Sequence, residues 1–208
     1  SEQDPALVQL PIKTMFCPTR RTAFEVSREE ANDAPRGATG DYAGNAGSTI
    51  HFIPERNIQD WAQFEKPTDG VFSSGLAKDN EVIDGMLIRG GIGRYRLRDI
   101  RDGTSNTFLI GEKALNIDHL GEAAGWGDNS IYNGDEPYTI MRIGGYRVPV
   151  EGTLRSFQGQ RPSFGSAHLG LCNFALADGS TKVVDAMIAE EPLRRFCSRN
   201  DGQKVDHE

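Results

Sequence analysis

The chain has 208 residues, 37% of them hydrophobic and 25% charged, the composition of a soluble globular domain and not of a disordered tail. Its 24 glycines and 10 prolines exceed the ~12% background for the pair and argue against a long helical bundle. Thirty acidic against 23 basic residues give a net charge of -7, so unaided binding to nucleic acid is not expected, and no apolar run approaches the ~18 residues of a membrane span.

A short helix is expected at the start: Asp4 suits an N-cap, Pro5 the first helical position, and Ala6, Leu7, Val8 and Leu10 an apolar side that Pro11 ends. Met15 and Phe16 read as the end of a short strand before Cys17-Pro18, and residues 22–26 as another. Residues 27–47, polar and rich in Gly, Ala, Asp and Asn, read as a long excursion. Residues 48–52 have strand composition, and Ile58, Trp61 and Ala62 the spacing of a short helix over 55–66. Asp69-Gly70 marks a turn, and Asp84-Gly85 sits between Val82-Ile83 and Met86-Leu87-Ile88 as in a hairpin or bulge. Gly90-Gly91-Ile92-Gly93 lacks the spacing, the following lysine and the βαβ frame of a phosphate loop.

Residues 107–112 form the clearest buried strand, led in by a self-bonded turn from Asp102, Gly103, Thr104, Ser105 and Asn106. A second Gly-rich and Asp-rich excursion is expected over 121–145. The best hairpin signal pairs 171–177 with 181–184 around Asp178-Gly179. The last element is a helix with Glu190, Glu191 and Pro192 in its first turn, Arg194, Arg195 and Arg199 toward its end, and Gly202 as a stop. Its buried face is expected to be Leu193, Phe196 and Cys197. These elements sum to an α+β domain: a mainly antiparallel sheet with short peripheral helices, long loops and no alternating βαβ pattern.

The four histidines, His51, His119, His168 and His207, show no ligand spacing for a metal hydrolase. Ser166 and His168, two apart, share a face in a strand and offer a nucleophile and base, with Asp102 or Asp178 as the orienting acid. Ser166 lies in no G-x-S-x-G elbow, and backbone hydrogen bonding is the simpler role for both. On the second excursion, Asp128, Asn129, Asp135 and Glu136 offer oxygen donors suited to Ca²⁺, although their spacing departs from an EF-hand loop. Trp126 and Tyr132, with Tyr138, could present an aromatic platform to a sugar or peptide. A solvated acidic loop plugged by aromatics is the simpler reading. Cys17, Cys172 and Cys197 lie far apart with no C-x-x-C pair; three buried thiols are the first expectation, and one disulfide plus a free thiol the alternative in an oxidising compartment.

Read together, FCPTRR near the start, GDYAGNAGS at 40–48, IRDGTSNTFLIGEK at 100–113, WGDNSIYNGDEP at 126–137 and FGSAHLGLCNFALADGSTKVVDAMI at 164–188 resemble, in order and spacing, a bacterial prepilin-like family similar to the G-type pseudopilins of type II secretion. The resemblance implies a β-rich head outside the cytoplasm, carried by an N-terminal helix that anchors it in the membrane and packs into a filament. This chain then reads as the head without that stalk. Its implied role is a noncatalytic assembly component whose partners are other protein subunits, as a homo-oligomer or surface assembly, with no catalytic residues to carry over. The extracytoplasmic setting so implied favours a disulfide between two of the three cysteines. Two further classes stand beside this reading: a solute- or glycan-binding module on the 121–145 segment, with or without calcium, and a Ser166/His168 hydrolase.

Overall fold

The computed structural model describes residues 4–21, 25–30, 34–49, 87–88, 91–92, 96–122, 127–133, 137–145, 149–152 and 163–203. The expected helix over 55–66, the turns at 69–70 and 84–85, Val82-Ile83, residues 50–52 of the expected strand at 48–52 and most of that at 22–26 lie outside them.

The first helix forms as its residues dictate. The Asp4 carboxylate accepts the Ala6 N–H at 2.9 Å, Pro5 opens α1 (Pro5–Val8), and the chain leaves the helix before Pro11. The strand expected at Met15 and Phe16 is instead a 3-10 turn, Lys13–Met15. Here the backbone serves as a cover: the Met15 carbonyl accepts the N–H of Asp41 at 2.7 Å, so this segment caps the entry to the sheet without joining its ladder. Val26 makes a single antiparallel bridge with Ala38.

The sheet takes its strands from distant parts of the chain. They are β1 (Tyr42–Thr49), β4 (Phe108–Glu112), β5 (Met141–Gly145), β6 (Leu171–Leu176) and β7 (Thr181–Asp185), in the spatial order β5-β1-β4-β6-β7. A separate two-stranded ladder joins β2 (Leu87–Ile88) to β3 (Gly91–Ile92). The β1–β4, β4–β6 and β6–β7 pairs are antiparallel, and β1 runs parallel to β5. With α2 (Pro137–Ile140) and α3 (Glu190–Cys197) added, the architecture is α+β with a mixed, mostly antiparallel sheet.

Two expected excursions turn out to contain strands. Residues 27–47 include most of β1, and 121–145 include α2 and β5. Their glycines serve close packing. A Cβ on Gly144 would lie 2.8 Å from Cys197 Sγ and 3.1 Å from Leu193 Cγ, because α3 rides directly on β1 and β5. Asn45, fully buried in β1, donates its Nδ2 to the carbonyls of Phe108 and Cys197, each at 2.8 Å, and so ties β4 and α3 to β1. Small residues here are the condition for a helix lying tight on a sheet.

The inner face of the sheet is aromatic. Phe108 stacks on Phe174 with centroids 3.9 Å apart, and on Phe196 of α3 at 4.7 Å; Phe164 meets Phe174 edge to face at 5.0 Å. Cys172, Val184, Leu193 and Cys197 complete this cluster, and Leu193, Phe196 and Cys197 are the buried helix face read from the sequence. The terminal hairpin forms as expected: Asp178 accepts the N–H and hydroxyl of Ser180, and Gly179 takes a positive φ of 86°. Helix α3 ends at Cys197, five residues before Gly202, and the Glu191 carboxylate grips Arg194 and Arg195 along it.

Gly111 of β4 tests the tightness of this packing, since a Cβ there would come within 2.5–2.7 Å of the Phe174 and Phe164 rings. Gly111→Ala is expected to lower unfolding stability by about 1–3 kcal/mol through overpacking, read as a shifted denaturant midpoint at unchanged slope, and Phe174→Leu in the same chain should return part of the loss.

Candidate functional site

Two polar side-chain clusters gather at the end of the β1–β4 pair, where Asp41 precedes β1 and Lys113 follows β4. The first is a buried ion network. Asp41, just before β1, accepts the Cys17 N–H at 2.7 Å and pairs with Arg20 at 3.2 Å and with Arg21 at 2.7 Å. The Arg21 guanidinium also forks onto Asp128, with Nη2 donating to Oδ1 at 3.0 Å and Nη1 to Oδ2. Asp128 further accepts the Gly121 N–H at 2.7 Å and lies 3.8 Å from Lys113 Nζ, which donates to the Thr139 carbonyl at 3.2 Å.

The protonation balance follows from burial and pairing. Burial alone would lower the Arg21 pKa, yet Asp128 and Asp41 hold it above its ordinary value. Burial would raise that of Asp128, yet Arg21 and Lys113 keep it below the usual carboxylate range. Lys113 goes the other way: burial, with Arg142 and Arg21 nearby, outweighs its acidic neighbours and pushes it down to about 7.

The second cluster is Cys17, Glu112 and His168. The Cys17 Sγ lies 3.5 Å from His168 Nε2, and the same nitrogen is 3.3 Å from Glu112 Oε1. Glu112 is fully buried and its other oxygen, Oε2, accepts the Asn173 N–H at 2.7 Å and the Asn173 Nδ2 at 3.0 Å. His168 is 31% exposed, and its backbone N–H donates to Ser166 Oγ at 2.9 Å. Burial and then the neighbouring Glu112 push the Cys17 thiol up, and burial with Cys17 and Glu112 pushes the Tyr42 hydroxyl up to about 12. Tyr42 pairs with Glu112 across β1 and β4, and beside it opens an apolar cavity of about 360 Å³ lined by Met15, Tyr42, Ile110, Ile131, Ile140 and Met141, among others.

This arrangement places the residues singled out from the sequence. Asp128 and Asn129 are buried and not displayed on a loop surface; Asp128 already faces cationic partners, which removes it as a calcium ligand. Tyr132 donates its hydroxyl to the Leu10 carbonyl at 3.0 Å, pinning the segment onto α1's exit. Trp126, Asp135 and Glu136 lie outside the described residues. The Ser166/His168 pair is not a nucleophile and base in this geometry, because the serine oxygen caps a backbone N–H while the imidazole turns to Cys17 and Glu112. Neither orienting acid serves it: Asp102 accepts the N–H groups of Asp201 and Gly202 at 2.8 and 2.9 Å, and Asp178 is exposed in its turn. Cys17, Cys172 and Cys197 are all buried and unbridged, so the disulfide implied by the resemblance is replaced by three thiols. The Cys17–Glu112–His168 convergence was invisible to spacing rules, since its members come from three separate segments; its only trace was their common presence in the FCPTRR, LIGEK and GSAHLG blocks.

A family model described as "Protein of unknown function (DUF1559)" matches residues 1–191. No curated protein and no solved structure matches the chain.

Lys113 makes the ion network pH-sensitive in a defined direction. Its folded pKa lies below its unfolded one, so between pH 7 and about 10 the unfolded chain binds more protons and this group makes stability rise with pH. Lys113→Met should remove that rise, flattening the high-pH limb of a denaturant-melt series by up to about 1.4 kcal/mol per pH unit relative to the parent chain.

Proposed function

The chain belongs to the DUF1559 family, and from that premise we propose that it works by contact and not by covalent turnover, as a noncatalytic, extracytoplasmic, pseudopilin-like head that assembles with further copies of itself. The observation that carries this reading is an apolar surface at one end of the β6–β7 hairpin. Leu169 is 99% exposed, Met187 89%, Val183 59% and Leu171 45%. They lie together, because the Ala186 N–H donates to the Gly170 carbonyl at 2.8 Å and Leu171 pairs with Asp185 across the strands. The patch continues into β7, an edge strand of the five-stranded sheet among the described residues. An edge with open backbone groups beside exposed apolar side chains is matched by a strand of a second copy.

The test is self-association measured by sedimentation over a concentration series. The parent chain is expected to associate, and Val183→Glu with Met187→Glu to weaken association by tenfold or more while leaving the melting curve in place. A parent chain that stays monomeric throughout the series would remove the reading.

A second reading, a solute-binding module, rests on the cavity beside Tyr42. At about 360 Å³ with mostly apolar walls it has the size and character of a small-ligand site, and the 121–145 segment supplies Ile131, Thr139, Ile140 and Met141 to it. The anionic fluorophore 1-anilinonaphthalene-8-sulfonate is expected to bind the folded chain with one site per molecule, and Ile110→Trp, which fills the cavity from a half-exposed strand position, to abolish that binding. Fluorescence unchanged by Ile110→Trp would mean that the cavity is not the site.

A further inference from the structure

We propose that Cys17, Glu112 and His168 form a binding site for one divalent transition-metal ion of the zinc class at the end of the β1–β4 pair. The thiol sulfur, the imidazole nitrogen and a carboxylate oxygen all lie within 4.8 Å of one another. Two of the separations are those of ligands sharing a tetrahedral ion: metal bonds of ~2.3 Å to sulfur and ~2.05 Å to nitrogen and oxygen put S and N about 3.5 Å apart and N and O about 3.4 Å apart. The structure has 3.5 Å for Cys17 Sγ to His168 Nε2 and 3.3 Å for His168 Nε2 to Glu112 Oε1.

Convergence on one nitrogen separates this site from a catalytic relay. A Cys–His–acid relay sets thiol and acid on opposite ring nitrogens, so that one takes the proton while the other orients the ring. Here the sulfur and the carboxylate oxygen face the same Nε2, and the point between the three atoms is where a shared cation sits.

Glu112 is prepared for such a role. Asn173 occupies Oε2 with two hydrogen bonds, holding the carboxylate so that Oε1 points to His168 Nε2, 3.3 Å away. This is the outer support that metal-ligating carboxylates carry. The backbone that carries the other two ligands is anchored as well: Cys17 by its N–H to Asp41, and His168 by its N–H to Ser166 Oγ. Arg20, three residues past Cys17, is matched by Asp41 at 3.2 Å. A thiolate and a carboxylate balance a dication, leaving a neutral unit where both side chains are buried. A sulfur, a nitrogen and one oxygen select zinc-class ions over Ca²⁺ or Mg²⁺, which take oxygen shells. Three protein ligands leave a fourth position to water or a small donor on the side where His168 reaches solvent.

The experiment takes the full chain, strips it with chelator and adds Zn²⁺ alone in equilibrium dialysis, then Co²⁺ as a spectroscopic substitute. Expected are one ion per chain at micromolar protein and, with Co²⁺, a thiolate-to-metal charge-transfer band together with the intense visible bands of tetrahedral cobalt. Cys17→Ser should abolish the charge-transfer band. Asn173→Ala should keep it while weakening affinity by about 10–100-fold. His168→Gln, at a partly exposed side chain, should weaken binding at least as much, and it carries the test if Cys17→Ser does not fold. No stoichiometric uptake, a cobalt spectrum without the thiolate band, or unchanged affinity in folded His168→Gln would overturn the proposal. Self-association leaves it untouched, since Leu169, Val183 and Met187 are not ligands.

Discussion

The fork of Arg21 between Asp41 and Asp128 is the contact on which the seating of the N-terminal segment depends. It joins three parts of the chain that no ladder brings together: the N-terminal segment, the approach to β1 and the stretch after residue 127. Each of the three side chains is almost wholly removed from solvent. A guanidinium buried with one partner would be left half matched; Arg21 has two carboxylates, Asp41 shared with Arg20 and Asp128 shared with Lys113, and the backbone N–H groups of Cys17 and Gly121 fill remaining acceptor positions. Removing one member leaves the others charged, buried and unmatched, a loss of roughly 3–5 kcal/mol in comparable cases. The network therefore specifies geometry more than it adds stability, and the geometry it specifies includes the position of Cys17.

The legible part of the fold was the part governed by local rules. Asp4 and Pro5, the Asp178-Gly179 turn, the apolar run of β4 and the i, i+3, i+4 face of α3 each announce their structure within a few residues, and each element forms, although β4 is buried only in part, with Ile110 exposed. What stayed hidden has a single physical cause. Strand β1 is mostly Gly, Ala, Asn and Ser, and β5 ends in two glycines, because their surroundings are crowded, and crowding is a property of the partner: Cys197 and Leu193 press on Gly144, and Asn45 donates to the Cys197 carbonyl of α3. A strand selected for smallness carries no alternation and no β-branched run, so composition reads it as loop. Met15 shows the converse, read with Phe16 as the end of a strand yet closing the 3-10 turn Lys13–Met15.

The candidate site was legible only in fragments. The aspartates of the second excursion looked like surface ligands because the arginine that takes Asp128 lies 107 positions away. His168 looked like the partner of its neighbour Ser166, whereas its ring reaches Cys17 across 151 positions. Two separate features result, an apolar cavity beside Tyr42 and a polar cluster at Glu112, with the Tyr42–Glu112 strand pair as their common wall.

The parallel pairing of β1 with β5 fixes more than a strand order. The β6–β7 hairpin closes over a few residues, while β1 must wait for β4 and then for β5, both far along the chain, before either of its edges is satisfied. Local closures are fast and distant ones slow. The C-terminal hairpin is therefore the locally closed part of the sheet, while β1, on which α3 is seated, depends on distant closures. The small side chains of β1 offer little apolar surface to other strands before those distant partners arrive, so its bland composition also limits mispairing.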